Sequence, residues 1–297
     1  MEYIPAKTIV TKTKAPARWF GIDYNMNIYK GCCHGCIYCD SRSDCYGVDD
    51  FDRVRAKENA LQIIRDDLRR KTRSGVVGTG AMSDPYNPFE RELELTRHAL
   101  ELCDAFGFGA AIATKSSLLT RDIDILQSIA EHSPVLLKIT VTTARDDLAA
   151  KIEPGVSRPT ERYEMIEKLT EAGLYSGILL MPVLPFLEDS RENIGEIIRK
   201  AKEAGARFIY PAFGMTLRGN QRAWYFQKLD ELFPGEGLVE SYRKRYGDSY
   251  ECASPQARKL WQYFAEECQK RQIVYRMEDI ISQYKRPYKV TQMTLPF

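Results

Sequence analysis

From residue 75 to residue 211, short β-branched runs alternate with stretches of helical periodicity, and no other feature restricts the fold of this chain so strongly. Such alternation marks repeated βα units on a parallel sheet. Strands are predicted at Val76–Thr79, Ala110–Ala113, Val135–Thr142, Ser176–Met181 and Arg207–Tyr210. One amphipathic helix between them puts Leu93, Arg97, Leu100 and Cys103 on a shared stripe; another runs from an N-cap at Ser190 through Ile194, Ile197, Ile198 and Ala201 to a stop at Gly205. Gly107 and Gly173 read as stops of the same kind. A strand at Asn25–Tyr29 and a helix bearing Leu61, Ile64 and Leu68 precede the array, which makes six βα units. Right-handed crossovers turn these into an open doubly wound sheet or an incomplete barrel, and periodicity alone leaves both open. After Pro211 the pattern becomes helical and tyrosine-rich, with helices expected at Asn220–Phe233, Gly237–Tyr246 and Ser254–Gln272 in an appended segment.

With 297 residues, 44% of them hydrophobic, the chain has core enough for one large domain or two small ones, which excludes a disordered protein. No apolar run approaches the roughly 18 residues of a spanning helix, and Met1-Glu2-Tyr3-Ile4-Pro5 lacks the layout of a signal peptide. The expectation is a cytoplasmic protein without a membrane partner. Charge is spread unevenly: residues 1 to 30 and residues 271 to 297 each carry five basic and two acidic side chains, which leaves the middle of the chain net acidic.

Eight cysteines are too few for a disulfide scaffold in a chain of this size, and four of them, Cys32, Cys33, Cys36 and Cys39, fall within eight residues. In a reducing compartment such crowding points to metal or redox chemistry. Read from Cys33, the loop opens as a ferredoxin run, but the cysteine required next is replaced by Ser43. Read from Cys32, it is C-x3-C-x2-C, three thiolates able to hold three irons of a [4Fe-4S] cluster and leave the fourth open for a ligand. A structural zinc knuckle would need His34 as its fourth ligand, at poor spacing.

This loop, directly after a first strand and with an aromatic residue before its last cysteine, resembles the radical S-adenosylmethionine (SAM) superfamily. The likeness extends over residues 20 to 215 through Ser83-Asp84-Pro85-Tyr86-Asn87-Pro88-Phe89-Glu90, Thr114-Lys115-Ser116 with Arg121-Asp122, Thr142-Thr143, and Ile152-Glu153-Pro154 with Arg162. In that order they look like the strand-end motifs of the subfamily related to spore photoproduct lyase and the so-called DNA repair photolyases. The resemblance implies an α/β fold, a partial (β/α)6 barrel with a C-terminal helical extension. It divides the chain into a basic segment at 1–19, the barrel at 20–215, the extension at 216–290 and a tail at 291–297.

It also implies an enzyme that cleaves SAM on its cluster to a 5'-deoxyadenosyl radical, with lyase or oxidoreductase-type chemistry and an electron donor such as flavodoxin or ferredoxin. By position, Cys32, Cys36 and Cys39 would be the cluster ligands. Tyr38 would lie near the adenine, Ser83 and Asp84 near the SAM amino group, and Lys115 against the SAM carboxylate. Thr142 and Thr143 would reach the ribose or carboxylate, with Glu153 and Arg162 as a supporting ion pair. One departure matters. Spore photoproduct lyase has a hydrogen-donating cysteine just before the Ser/Thr-Asp segment, whereas Met82 stands here. Cys33, Cys45 and Cys252 are the candidate replacements, while Cys103 and Cys268 fall on helical stripes and read as core.

Nucleic acid is the favoured substrate, as a DNA lesion or a base to be modified. The family likeness, the basic termini and the runs Tyr242-Arg243-Lys244-Arg245-Tyr246 and Tyr284-Lys285-Arg286-Pro287-Tyr288-Lys289 all favour it. A peptide or small-molecule substrate is the alternative, and a non-catalytic iron-sulfur protein a weaker one. Finally, Gln292, Leu295 and Phe297 are spaced like the short peptide that docks bacterial polymerases and repair proteins on the sliding clamp.

Overall fold

The structure, a computed structural model, describes residues 1–16 and 19–288. Six parallel strands lie side by side in chain order: Tyr24–Met26, Val76–Thr79, Gly109–Thr114, Val135–Thr140, Ser176–Leu180 and Phe208–Pro211. Val10–Lys12 adds an antiparallel strand at the outer edge of the first. Among the described residues the first and sixth strands do not pair, so the sheet curls without closing, and the partial barrel is the outcome. Its strands are buried on both faces, which is why Val135–Thr140 reads as a nearly continuous apolar run.

The crossover helices follow the capping signals. The Ser190 hydroxyl accepts from the Asn193 N–H at 3.1 Å, Ile194, Ile197, Ile198 and Ala201 face the sheet, and Gly205 leaves the helix with φ +77°. Cys103 and Cys268 are fully buried in the core.

Two expectations need correction. The stripe from Leu93 to Cys103 spans two helices, Glu90–Leu93 and Leu95–Ala105, because Glu94 turns left-handed at φ +49° and the buried Glu90 carboxylate accepts from the Thr96 N–H at the start of the second. Arg97 leaves the apolar stripe to pair with Asp122 and Asp124. The first strand also ends at Met26, and Tyr29–Lys30 instead joins a small separate sheet with Arg55–Lys57 and Glu2–Ile4. That sheet aims the chain into the cysteine loop.

The C-terminal part packs as helices Gly219–Leu232, Leu238–Tyr246, Ala257–Lys270 and Met277–Lys285. On the last of these, Ile280 and Tyr284 meet Phe20, Val76, Leu136 and Phe208, and the Tyr284 hydroxyl donates to the Phe20 carbonyl at 2.6 Å. This contact seals the N-terminal end of the barrel and leaves the C-terminal strand ends open. No helix among the described residues is long and apolar enough to cross a membrane. The tail with Gln292, Leu295 and Phe297 lies outside the described residues.

Candidate active site at the cysteine loop

Parallel strands gather their loops at one end, and there the chain encloses a cavity of about 320 Å³. Cys32, Cys36 and Cys39 all line it, together with the ends of the second, third and fourth strands. Cys33 does not; it is half-buried against the apolar core under the loop.

The loop is fixed at both flanks. Gly31 enters it at φ +81°, where a Cβ would stand 2.5 Å from the Arg53 carbonyl oxygen, so only glycine fits. The Cys32 N–H donates to the Phe51 carbonyl at 2.8 Å, and the Ser83 hydroxyl donates to the Gly31 carbonyl at 2.5 Å. On the other side the turn at residues 152–155 grips the loop. Ile37 N–H donates to the Ile152 carbonyl at 3.0 Å, Gly155 N–H donates to the His34 carbonyl at 2.9 Å, and the Tyr38 hydroxyl donates to Glu153. Arg162 backs this turn with an ion pair to Glu153 at 2.6 Å and a donation to the Thr140 carbonyl at 2.8 Å.

Burial pushes the Cys36 and Cys39 thiols up, with the Lys115 charge opposing it in both. Burial also acts on Cys32, but the hydrogen bond and charge of His34 outweigh it and lower that thiol. His34 is raised because Cys32 and Asp84 overcome its own burial, and its Nδ1 stands 3.5 Å from Asp84. Among the described residues no three His, Cys, Asp or Glu side chains converge closely enough to hold a single ion. Thiolates that each bind a different iron of a cube stand farther apart than the ligands of one ion, so three cysteines on one cavity wall fit the cluster better than zinc.

The other sequence candidates separate into two groups. Tyr38, Ser83, Asp84 and Lys115 line the cavity. The Lys115 ammonium has no ion-pair partner among the described residues and lies 5.7 Å from the centre of the Tyr38 ring. Asp84 is largely spent on structure, with its oxygens accepting from Thr114 Oγ at 2.6 Å and from the N–H groups of Tyr86 and Lys115 at 2.9 Å each. It ties the ends of the second and third strands together.

Thr142 and Thr143 do not reach the cavity. Their hydroxyls donate to Glu188 at 2.6 Å and Asn193 at 3.2 Å. Glu153 and Arg162 form the expected ion pair, behind the loop. The three candidate hydrogen donors also lie off the cavity: Cys33 beneath the loop, Cys45 exposed on the turn Asp44–Tyr46, and Cys252 buried in the strand Glu251–Ala253.

Sequence reading missed Lys138 and Asn25, which line the cavity from inside the fourth and first strands. Lys138 is only 2% exposed, and burial alone pushes its amine down to about 7. A charged residue interrupting an all-apolar strand was the available signal.

Three comparisons bear on this geometry. Residues 26–201 match the model of the radical SAM superfamily. An uncharacterized protein of Mycobacterium tuberculosis is 33% identical over 230 residues, which is 75% of this chain and 67% of that one. Another, from Methanocaldococcus jannaschii, is 31% identical over 196 residues, 65% of this chain and 71% of that one. Among solved structures, spore photoproduct lyase complexed with dinucleoside spore photoproduct superposes with a TM-score of 0.66 at 14% identity, covering 90% of this chain and 79% of that one. A radical S-adenosylmethionine methyltransferase, TsrM from Kitasatospora setae, gives a TM-score of 0.53 at 11% identity over 83% of this chain and 51% of that one. With its partial barrel and the cysteine loop at the open strand ends, the chain belongs to the radical SAM superfamily, whose enzymes work with a [4Fe-4S] cluster and SAM.

Proposed function

We propose that this radical SAM enzyme acts on nucleic acid, as a lesion-repair or base-modifying enzyme. The observation that carries the reading is Trp19, which lines the cavity yet stays 37% exposed and packs edge-to-face with Phe20 and Tyr210, an aromatic surface for stacking an unpaired base. Beside the cysteine loop, Arg218 lies between the rings of Tyr46 and Tyr250, at 4.9 and 5.1 Å from their centres. The two tyrosine-basic runs support it differently than expected. Tyr242 and Tyr284 are buried, and among the described residues of the two runs the exposed Arg243, Lys244, Arg245 and Arg286 remain for phosphates.

In this reading Cys32, Cys36 and Cys39 hold the cluster and Lys115 pairs with the carboxylate of SAM, with Tyr38 and Ser83 beside it. Asp84 acts as a positioning residue that fixes the Lys115 backbone. When bound, the cluster and SAM together supply a carbon-centred radical able to abstract hydrogen. The protein's own part is to hold the loop rigid, neutralise the SAM carboxylate and keep water from the barrel floor. The reductant is a flavodoxin- or ferredoxin-type carrier, and docking of residues 292–297 on a sliding clamp would raise the local concentration at DNA.

The test is anaerobic incubation of the reconstituted protein with SAM, reductant and single- or double-stranded DNA. DNA-dependent formation of 5'-deoxyadenosine, with binding that weakens steeply as salt rises, is the expected result. Stimulation by a peptide or small molecule and not by DNA would overturn the nucleic-acid reading.

A further inference from the structure

Lys138 is a lysine without an acid. It sits on the fourth strand with Ala113 and Gly177 as its register partners on either side, and these small residues leave the barrel interior to its side chain. Among the described residues it forms no ion pair; its ammonium lies 5.1 Å from the centre of the Phe20 ring. Burying an amine without a partner is costly, and the interior of a barrel offers no reason to keep one unless something arrives to meet it. Ala113 lies two residues before Lys115, so Lys138 sits roughly 6 to 7 Å deeper in the barrel than Lys115. The two lysines therefore serve different depths of one cavity.

Around Lys138 the cavity wall is apolar and aromatic at Trp19, Ile22 and Leu179, and besides the hydroxyl-bearing Thr79, Thr114 and Thr140 it carries the amide of Asn25 from the first strand. Asn25 makes no side-chain hydrogen bond to a described residue. An apolar cavity with a few polar groups on its wall is the composition of a small-ligand site. A lysine can only donate, while an asparagine amide donates and accepts side by side. A planar ring with an exocyclic oxygen next to a ring N–H matches that pair, and the indole matches its face.

We propose that the barrel floor is a recognition pocket for an oxo-bearing nucleobase, with Lys138 donating to the exocyclic oxygen and Asn25 reading the neighbouring edge. The proposal rests on the nucleic-acid reading and specifies its substrate class. It requires the base to leave its stack and enter the barrel, as other enzymes that modify bases demand. Adenine, with an amino group in place of the oxygen, would set a donor against a donor.

The test uses the cluster-reconstituted protein and fluorescent oligonucleotides of deoxythymidine and of deoxyadenosine, with anisotropy as the readout. The unaltered protein is expected to prefer the thymidine oligomer. Lys138→Met should weaken that binding about tenfold, the scale of one charge-assisted hydrogen bond, and leave adenosine binding unchanged. Asn25→Ala should reduce the same preference. The cluster absorbance, SAM affinity and melting temperature of each variant are measured alongside, since a merely structural role would move these and not the base preference. Binding of both oligomers with no dependence on Lys138 or Asn25 would overturn the pocket and leave the nucleic-acid reading standing. Absence of binding to either oligomer by the unaltered protein would overturn both.

Discussion

The Arg162 guanidinium lies 2.6 Å from the Glu153 carboxylate, and the two side chains are shut away from solvent. The other carboxylate oxygen takes the Tyr38 hydroxyl, and Arg162 also donates to the carbonyls of Ser157 and Thr140. One buried ion pair thus joins the fourth strand to the cysteine loop. Burial works against the Glu153 charge, but Arg162, Lys115 and Tyr38 overcome it and hold the carboxyl below its usual range.

Removing one partner of such a pair leaves a buried charge alone. Arg162→Met should destabilise the protein by about 3 to 5 kcal/mol. Tyr38→Phe, which removes one hydrogen bond from a carboxylate still paired on its other side, should cost about 1 to 3 kcal/mol. Urea unfolding of both variants checks the order. A near-neutral Arg162→Met would mean that the pair does not brace the loop.

The cavity lining separates the two possible cysteine registers. Alanine at Cys32, Cys36 or Cys39 should abolish the brown absorbance of the reconstituted cluster, whereas Cys33→Ala should keep it. Loss of the cluster in Cys33→Ala together with its retention in Cys32→Ala would reverse the assignment.

Lys115 lines the cavity with no ion-pair partner among the described residues. Lys115→Ala should leave the cluster intact and weaken SAM binding by about 1.5 to 3 kcal/mol, roughly ten- to a hundredfold or slightly more, measured by calorimetry under anaerobic conditions. Unchanged affinity would return Lys115 to a solvent-facing role.

Glu188 supplies a pH test. Burial pushes its carboxyl up to about 8, although the Thr142 hydroxyl and the Leu184 N–H favour the charged form. Between the ordinary value of 4.5 and about 8, the folded protein holds a proton there that the unfolded chain has released. Stability contributed by this group is therefore complete below that window and is lost as pH rises through it. Glu188→Gln should flatten the fall in melting temperature across the window, followed by circular dichroism from about pH 5 to pH 8. An unchanged slope would show that Glu188 stays ionised in the fold.

Much of the fold was legible in the sequence because its signals are local. β-Branched runs, the Ser190 cap and the glycine stops depend on neighbours a few residues away, and the cysteine spacing encodes a chemistry that needs three thiolates on one short loop. The family resemblance also implied the ion pair of Glu153 with Arg162, nine positions away. It could not say that the pair would grip Tyr38, 115 residues from Glu153.

Tertiary structure decided the rest, for a geometric reason. Whether a strand-end residue looks into the barrel depends on where the strand stops and which way the chain then turns. Thr140 ends the fourth strand, so Thr142 and Thr143 turn to Glu188 and Asn193, while Lys138, inside the strand, lines the cavity. Tyrosines beside basic residues likewise look like a nucleic-acid surface in one dimension. Packing buried Tyr242 in the apolar cluster that also holds Cys36 and Tyr38, and Tyr284 against Phe20, where apolar bulk closes one end of the curled sheet.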